Sequence, residues 1–140
     1  MRDTFIFTRA AELDALPAFR EFIARVCERL KISSELAFEL QLACDEAATN
    51  VIKHGYAGMN PGSIMLELRA QLNTITMLLS DFGHPFEPVE TDAPDVDALL
   101  HDEPTTGFGL YFIYRTMDEV SYYTDEMGNH LVLVKNTGKE

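Results

Sequence analysis

Two strand-like stretches, SIMLELRA and TITMLLSD, narrow the folds open to this chain more than any other feature. Only Gln71, Leu72 and Asn73 lie between them. A parallel crossover needs a dozen residues or more, so the two strands are expected to pair as an antiparallel hairpin. The C-terminal end repeats the pattern. DEVSYYTDE and HLVLVKN flank a turn around Met127-Gly128-Asn129 and read as a second hairpin. Near the N-terminus, DTFIFTRA alternates Phe5 and Phe7 against Thr4, Ile6 and Thr8, which marks a further strand.

Between that strand and the first hairpin the apolar period changes from two to about 3.6. Leu16, Phe19, Ile23, Val26, Cys27 and Leu30 share one face of a helix expected from Asp14 to Leu30. KISSE ends it and starts the next: Ser33 or Ser34 can cap, and Glu35 suits the positive end of the helix dipole. The second helix is expected to run to about His54. Leu36, Leu40, Ala43, Cys44, Ala47 and Val51 form its buried stripe, and Gly55 stands as a C′ terminator. GFGLYFIYRTM reads as a third, glycine-led helix. The expected order is strand, two helices, two strands, a long loop, a helix and two strands. Strands joined mostly as hairpins predict an α+β fold: a two-layer sandwich with a mixed, mostly antiparallel sheet and helices on one face.

The 140 residues suit one domain over 1–140, burying roughly 68–70% of the unfolded surface. A net charge of −12 argues against a nucleic-acid surface, which needs clustered Lys and Arg. It leaves a nucleotide open, because a bound divalent cation offsets phosphate charge locally. No stretch reaches the ~18 apolar residues of a membrane span, and MRDTFIFTRA lacks the apolar core of a signal peptide, so a cytoplasmic protein is expected. Cys27 and Cys44 lie in apolar helical surroundings and read as buried thiols. The loop from about 84 to 106 carries Pro85, Pro88, Pro94 and Pro104 among many acids; a segment of that length is a functional lid or is disordered.

Three short elements carry candidate chemistry. In CDEAATN, Glu46 and Asn50 stand four residues apart, so a carboxylate and an amide share one helix face. Asp81-Phe82-Gly83 closes a strand, and Gly107-Phe108-Gly109 opens a helix. Each alone has a plain reading: a solvated helix pair, a turn, and a tightly packed helix start. The DFG triplet does not mark a protein kinase fold, since the chain is short and has no HRD loop. No GxxxxGK[ST] motif is present either.

Taken together, ExxxN on a helix, DxG after a strand and GxG opening a helix after a long loop resemble the GHKL, or histidine-kinase-like, ATPase superfamily and its Bergerat ATP-binding fold. LACDEAATNVIKHGY, SDFGHPFEP and GFGLYFIYRTMDEV are similar to the anti-sigma factor serine kinase branch, from Phe5 to Lys135.

The resemblance implies a role for each residue. Asn50 ligates Mg²⁺ through its amide oxygen, and Glu46 orients or deprotonates the attacking hydroxyl. Asp81 accepts from the adenine amino group, and Gly83 lets the backbone approach the ring. Gly107 and Gly109 offer N–H groups to phosphate at a helix N-terminus, within a nucleotide-binding segment that includes Thr106, Phe108 and Leu110. Lys53 or His54 reach phosphate, or simply form a solvated helix end. The acidic loop is the ATP lid. Thr106 departs from the family pattern, which commonly has a further Gly there. His84, His101 and His130 read as surface or packing residues, and Tyr122-Tyr123 as part of the sheet. The implied activity is ATP- and Mg²⁺-dependent phosphorylation of a small anti-sigma factor antagonist on Ser or Thr by a homodimer that also holds a sigma factor. The alternatives are a non-catalytic ATP-binding module that sequesters a partner, and a histidine kinase catalytic domain.

Overall fold

The computed structural model describes residues 3–85 and 112–138. Strand β1 (Asp3–Ala10) leads through a single 3-10 turn (Leu13–Ala15) into helix α1 (Leu16–Arg29) and then α2 (Ser34–Asn50). β2 (Ser63–Ala70) and β3 (Thr74–Asp81) follow. Residues 112–116 are helical, and β4 (Glu119–Asp125) and β5 (Gly128–Asn136) end the described chain. The sheet order is β1-β2-β3-β5-β4, and every neighbouring pair is antiparallel. The sequence-based expectation of a mostly antiparallel sheet with helices on one face is met.

The local signals act where the sequence places them. Pro17 sits in the first turn of α1, where its missing N–H costs no helical bond. α1 ends with Lys31 at φ 58°, the left-handed region; Ile32 N–H reaches Cys27 O at 2.9 Å and Lys31 N–H reaches Glu28 O at 3.1 Å. That is a Schellman closure with lysine where glycine is usual. Ser33, not Ser34, caps α2: its hydroxyl accepts from Leu36 N–H at 3.2 Å.

One face of the sheet is apolar and meets the helices. Ile64, Leu66 and Leu68 of β2 and Ile75, Met77 and Leu79 of β3 are buried with Phe19, Ile23, Leu40 and Cys44. Phe7 of β1 meets Phe19 edge-on with centroids 5.8 Å apart and stacks on Phe22 at 4.9 Å, which seats α1. Each such side chain contributes roughly 1.5–3 kcal/mol by leaving water. α1 is tied to α2 by Arg20, whose Nε lies 3.1 Å from an Asp45 carboxylate oxygen. Its backbone carbonyl also accepts from Gln41 Nε2 at 2.9 Å. Cys27 and Cys44 are buried and not joined in a disulfide, as expected. No helix among the described residues is long and apolar enough to cross a membrane.

Two expectations are corrected. α2 does not continue as an α-helix to His54. It widens after Asn50 into one π-helical turn (Val51–Gly55), with Tyr56 N–H bonded back to Val51 O at 3.1 Å. Gly55 lies inside that turn without the left-handed φ of a C′ terminator. The second hairpin turns at Glu126-Met127 rather than Met127-Gly128-Asn129, because Asp125 already pairs with Gly128 and Asn129 already pairs across both of its neighbours.

Candidate nucleotide-binding site

The site lies where the end of α2, its π turn and the end of β3 meet. Glu46 and Asn50 sit on the last turn of α2, each partly buried. π turns of this kind recur at functional positions in helices. Here the turn carries Lys53 and His54, both exposed, and brings Gly55 against the β3 end. His84 N–H donates to Gly55 O at 2.5 Å. A Cβ on Gly83 would collide with that same Gly55 carbonyl. Glycine is therefore required at 83 by the neighbouring Gly55 carbonyl of the π turn.

Tyr56 clamps the arrangement. Its hydroxyl donates to Ser63 O at 2.8 Å and accepts from Phe82 N–H at 2.9 Å, joining the exit of the π turn to the starts and ends of two strands. Burial pushes its phenol above the ordinary value, the Phe82 N–H opposes, and the Asp81 charge adds to the rise.

Asp81 is buried at the end of β3. Oδ1 accepts from Gly83 N–H at 2.8 Å and from Asn129 Nδ2 at 3.0 Å. Asn129 Nδ2 also donates to Gly83 O at 2.8 Å. Among the described residues, both hydrogen bonds to the carboxylate fall on Oδ1.

Asp81 and Asn50 line one cleft. Its walls are apolar, from Ala47, Val51, Leu79, Ile113 and Leu131. An apolar slot with one carboxylate at its end suits a flat heterocycle bearing an amino donor. His84, which is exposed, and Tyr122 of β4 also line it.

Glu46 stands one helical turn before Asn50 and is not part of that lining. Burial pushes its carboxyl above the ordinary glutamate range, the Asp45 charge adds to the rise, and Lys53 opposes it. Asp45 is likewise raised by burial, against the lowering pull of Arg20. A half-buried carboxylate with raised proton affinity is a stronger base than an exposed one. Among the described residues no group of three or more His, Cys, Asp or Glu gathers to hold a metal. A cation at Asn50 would draw its other ligands from phosphate and water, the habit of Mg²⁺.

Thr106, Gly107, Phe108, Gly109 and Leu110 lie outside the described residues, as do His101 and the expected lid apart from His84 and Pro85. His130 is buried, as a packing residue. Its Nδ1 lies 2.7 Å from Ser80 Oγ and its Nε2 lies 2.8 Å from Asp125 Oδ1. Sequence reasoning missed Asn129, having assigned it to a turn. The signal lay in strand register: only with the turn at Glu126-Met127 does Asn129 stand opposite Asp81.

Comparison with known proteins agrees with this geometry. Residues 9–135 match the family model described as a histidine kinase-like ATPase domain. The serine/threonine-protein kinase BtrW of Bordetella bronchiseptica is 28% identical over 119 residues, covering 85% of this chain and 84% of its own length. The serine-protein kinase RsbW of Listeria innocua is 28% identical over 140 residues, covering 96% and 88%. RsbW of Bacillus thuringiensis is 24% identical over 134 residues, covering 93% and 82%.

Proposed function

The chain belongs to the histidine kinase-like ATPase domain family, and from that premise we propose that it is an ATP-dependent protein serine kinase. Its substrate is a small anti-sigma factor antagonist, and the same protein holds a sigma factor in a partner-switching circuit. One observation carries the nucleotide part of this reading: Asn50 from α2 and the held carboxylate of Asp81 from β3 open onto a single apolar cleft. The kinase part rests on Glu46, one turn from Asn50, and on relatives named as serine kinases.

Each residue has a defined task. Asp81 accepts from the exocyclic amino group of adenine while the apolar walls cover the ring. Asn50 offers a neutral amide oxygen to Mg²⁺, whose bound charge offsets the triphosphate in a chain of net charge −12. Glu46 accepts the proton of the substrate hydroxyl as its oxygen bonds to the γ-phosphorus and the bond to the β-phosphate oxygen breaks, leaving ADP. Holding the hydroxyl in line matters as much as the proton, since phosphoryl transfer is catalysed largely by positioning.

The test is incubation with γ-labelled ATP, Mg²⁺ and candidate antagonist domains encoded beside this chain. Label on a Ser or Thr of one of them is the expected result. ATP binding without transfer to any of them would replace this reading with a partner-sequestering module, and no adenine nucleotide binding at millimolar concentration would overturn both.

A further inference from the structure

Asp81 does not hold its own orientation. Asn129 Nδ2 faces two acceptors, Asp81 Oδ1 at 3.0 Å and Gly83 O at 2.8 Å. Only the nitrogen end of the amide can satisfy both, so its Oδ1 must point the other way. There it meets Thr124 Oγ1 at 3.0 Å, and since an amide oxygen only accepts, the threonine hydroxyl donates. Thr124 and Asn129 are directly paired between β4 and β5, and Asn129 and Asp81 between β5 and β3. A one-way chain of hydrogen bonds therefore crosses three strands, from Thr124 through Asn129 to Asp81.

We propose that Thr124 and Asn129 are the positioning residues that set base selectivity, by fixing which Asp81 oxygen meets the six-position of a bound purine. This rests on the reading of Asp81 as the base-contacting group. With Oδ1 held by Asn129 and Gly83 N–H, Oδ2 faces the ligand as an acceptor. A 6-amino purine supplies the donor it needs; a 6-oxo purine sets acceptor against acceptor. Without the Thr124 hydroxyl, Asn129 Oδ1 loses its donor and the amide is held from its nitrogen end alone. An amide held at one end tilts, which weakens its bond to Asp81 Oδ1 and lets the carboxylate turn. Selectivity would then be lost at a residue on β4 that touches no ligand.

The test is a cycle between one hydroxyl and one amino group, measured by calorimetry on the full chain with Mg²⁺. ADP is compared with purine riboside diphosphate, which has hydrogen at position six. Thr124→Val removes the hydroxyl at nearly constant shape and leaves a residue that strands favour. The expected result is a loss of about 5–10-fold in ADP affinity, the size of one lost hydrogen bond. The deamino analogue should change less than about twofold, and Thr124→Ser should restore ADP binding. Equal losses for both nucleotides would mean Thr124 acts only on the fold and would overturn the proposal. If the wild type itself binds both nucleotides equally, the base-reading role of Asp81 is what fails.

Discussion

The carbonyl of Gly55 fills the space that a Cβ on Gly83 would need: no side chain fits at residue 83 while the π turn of α2 rests against the end of β3. This contact places Asn50 and Asp81 on one cleft. A methyl at 83 has only backbone to push against, so the two elements must separate. Gly83→Ala should weaken ADP binding at least tenfold, about 1.4 kcal/mol or more, while the far side of the sheet stays folded. Calorimetry alongside circular dichroism checks this, and unchanged affinity would show the contact to be incidental to binding.

Asn50 supplies the metal contact in this account. ADP should bind the wild type about tenfold more tightly with Mg²⁺ than with EDTA. Asn50→Ala should bind with little dependence on the cation. A variant that keeps the full Mg²⁺ effect would move the metal ligand elsewhere.

Glu46 should cost stability at neutral pH. Its carboxyl is raised in the folded state, first by burial and then by Asp45. The folded protein thus holds that proton more tightly than the unfolded chain. The resulting stabilisation is complete below the unfolded value of about 4.3 and is lost as pH rises through the raised folded value. Glu46→Gln should therefore melt higher than the wild type at pH 7, with the gap closing toward about pH 4. A gap that widens on acidification would reverse the sign of the argument. If Glu46 is the base of the proposed transfer, Asp45→Asn should shift its acid limb to lower pH, and Lys53→Met to higher pH.

Lys31 closes α1 in the left-handed region, a strained place for a side chain. Its side chain is exposed, so a smaller residue there leaves no cavity. Lys31→Gly should stabilise the protein by about 1 kcal/mol in urea unfolding. A loss of stability would mean the lysine makes a compensating contact.

The helices and strands were legible because burial follows their periods: Phe19, Ile23, Val26 and Cys27 are buried as the 3.6 repeat requires, and Ser33 caps as its position suggests. Glu46, Asn50 and Asp81 were legible as motifs because spacing fixes their helix face and strand end. Two features were hidden for a physical reason. Gly55 looks like a helix terminator, but the chain widens the helix through it, and its carbonyl packs against Gly83 just beyond β3, a contact made across the fold. Gly128 looks like a turn residue but opens β5, where its φ of 111° favours glycine and a Cβ would also strike the Asp81 carbonyl on the next strand. With the turn at Glu126-Met127, strand register sets Asn129 opposite Asp81.

In the proposed reaction Glu46 serves the chemistry and not the holding of nucleotide. The deciding measurement is single-turnover phosphoryl transfer from γ-labelled ATP to the antagonist by Glu46→Ala, with ATP affinity determined on the same preparation. Affinity should stay within a few-fold of wild type while transfer falls by roughly 10²–10⁴, the loss typical of a positioned acid–base group. Transfer at the wild-type rate, with affinity unchanged, would contradict the role given to Glu46.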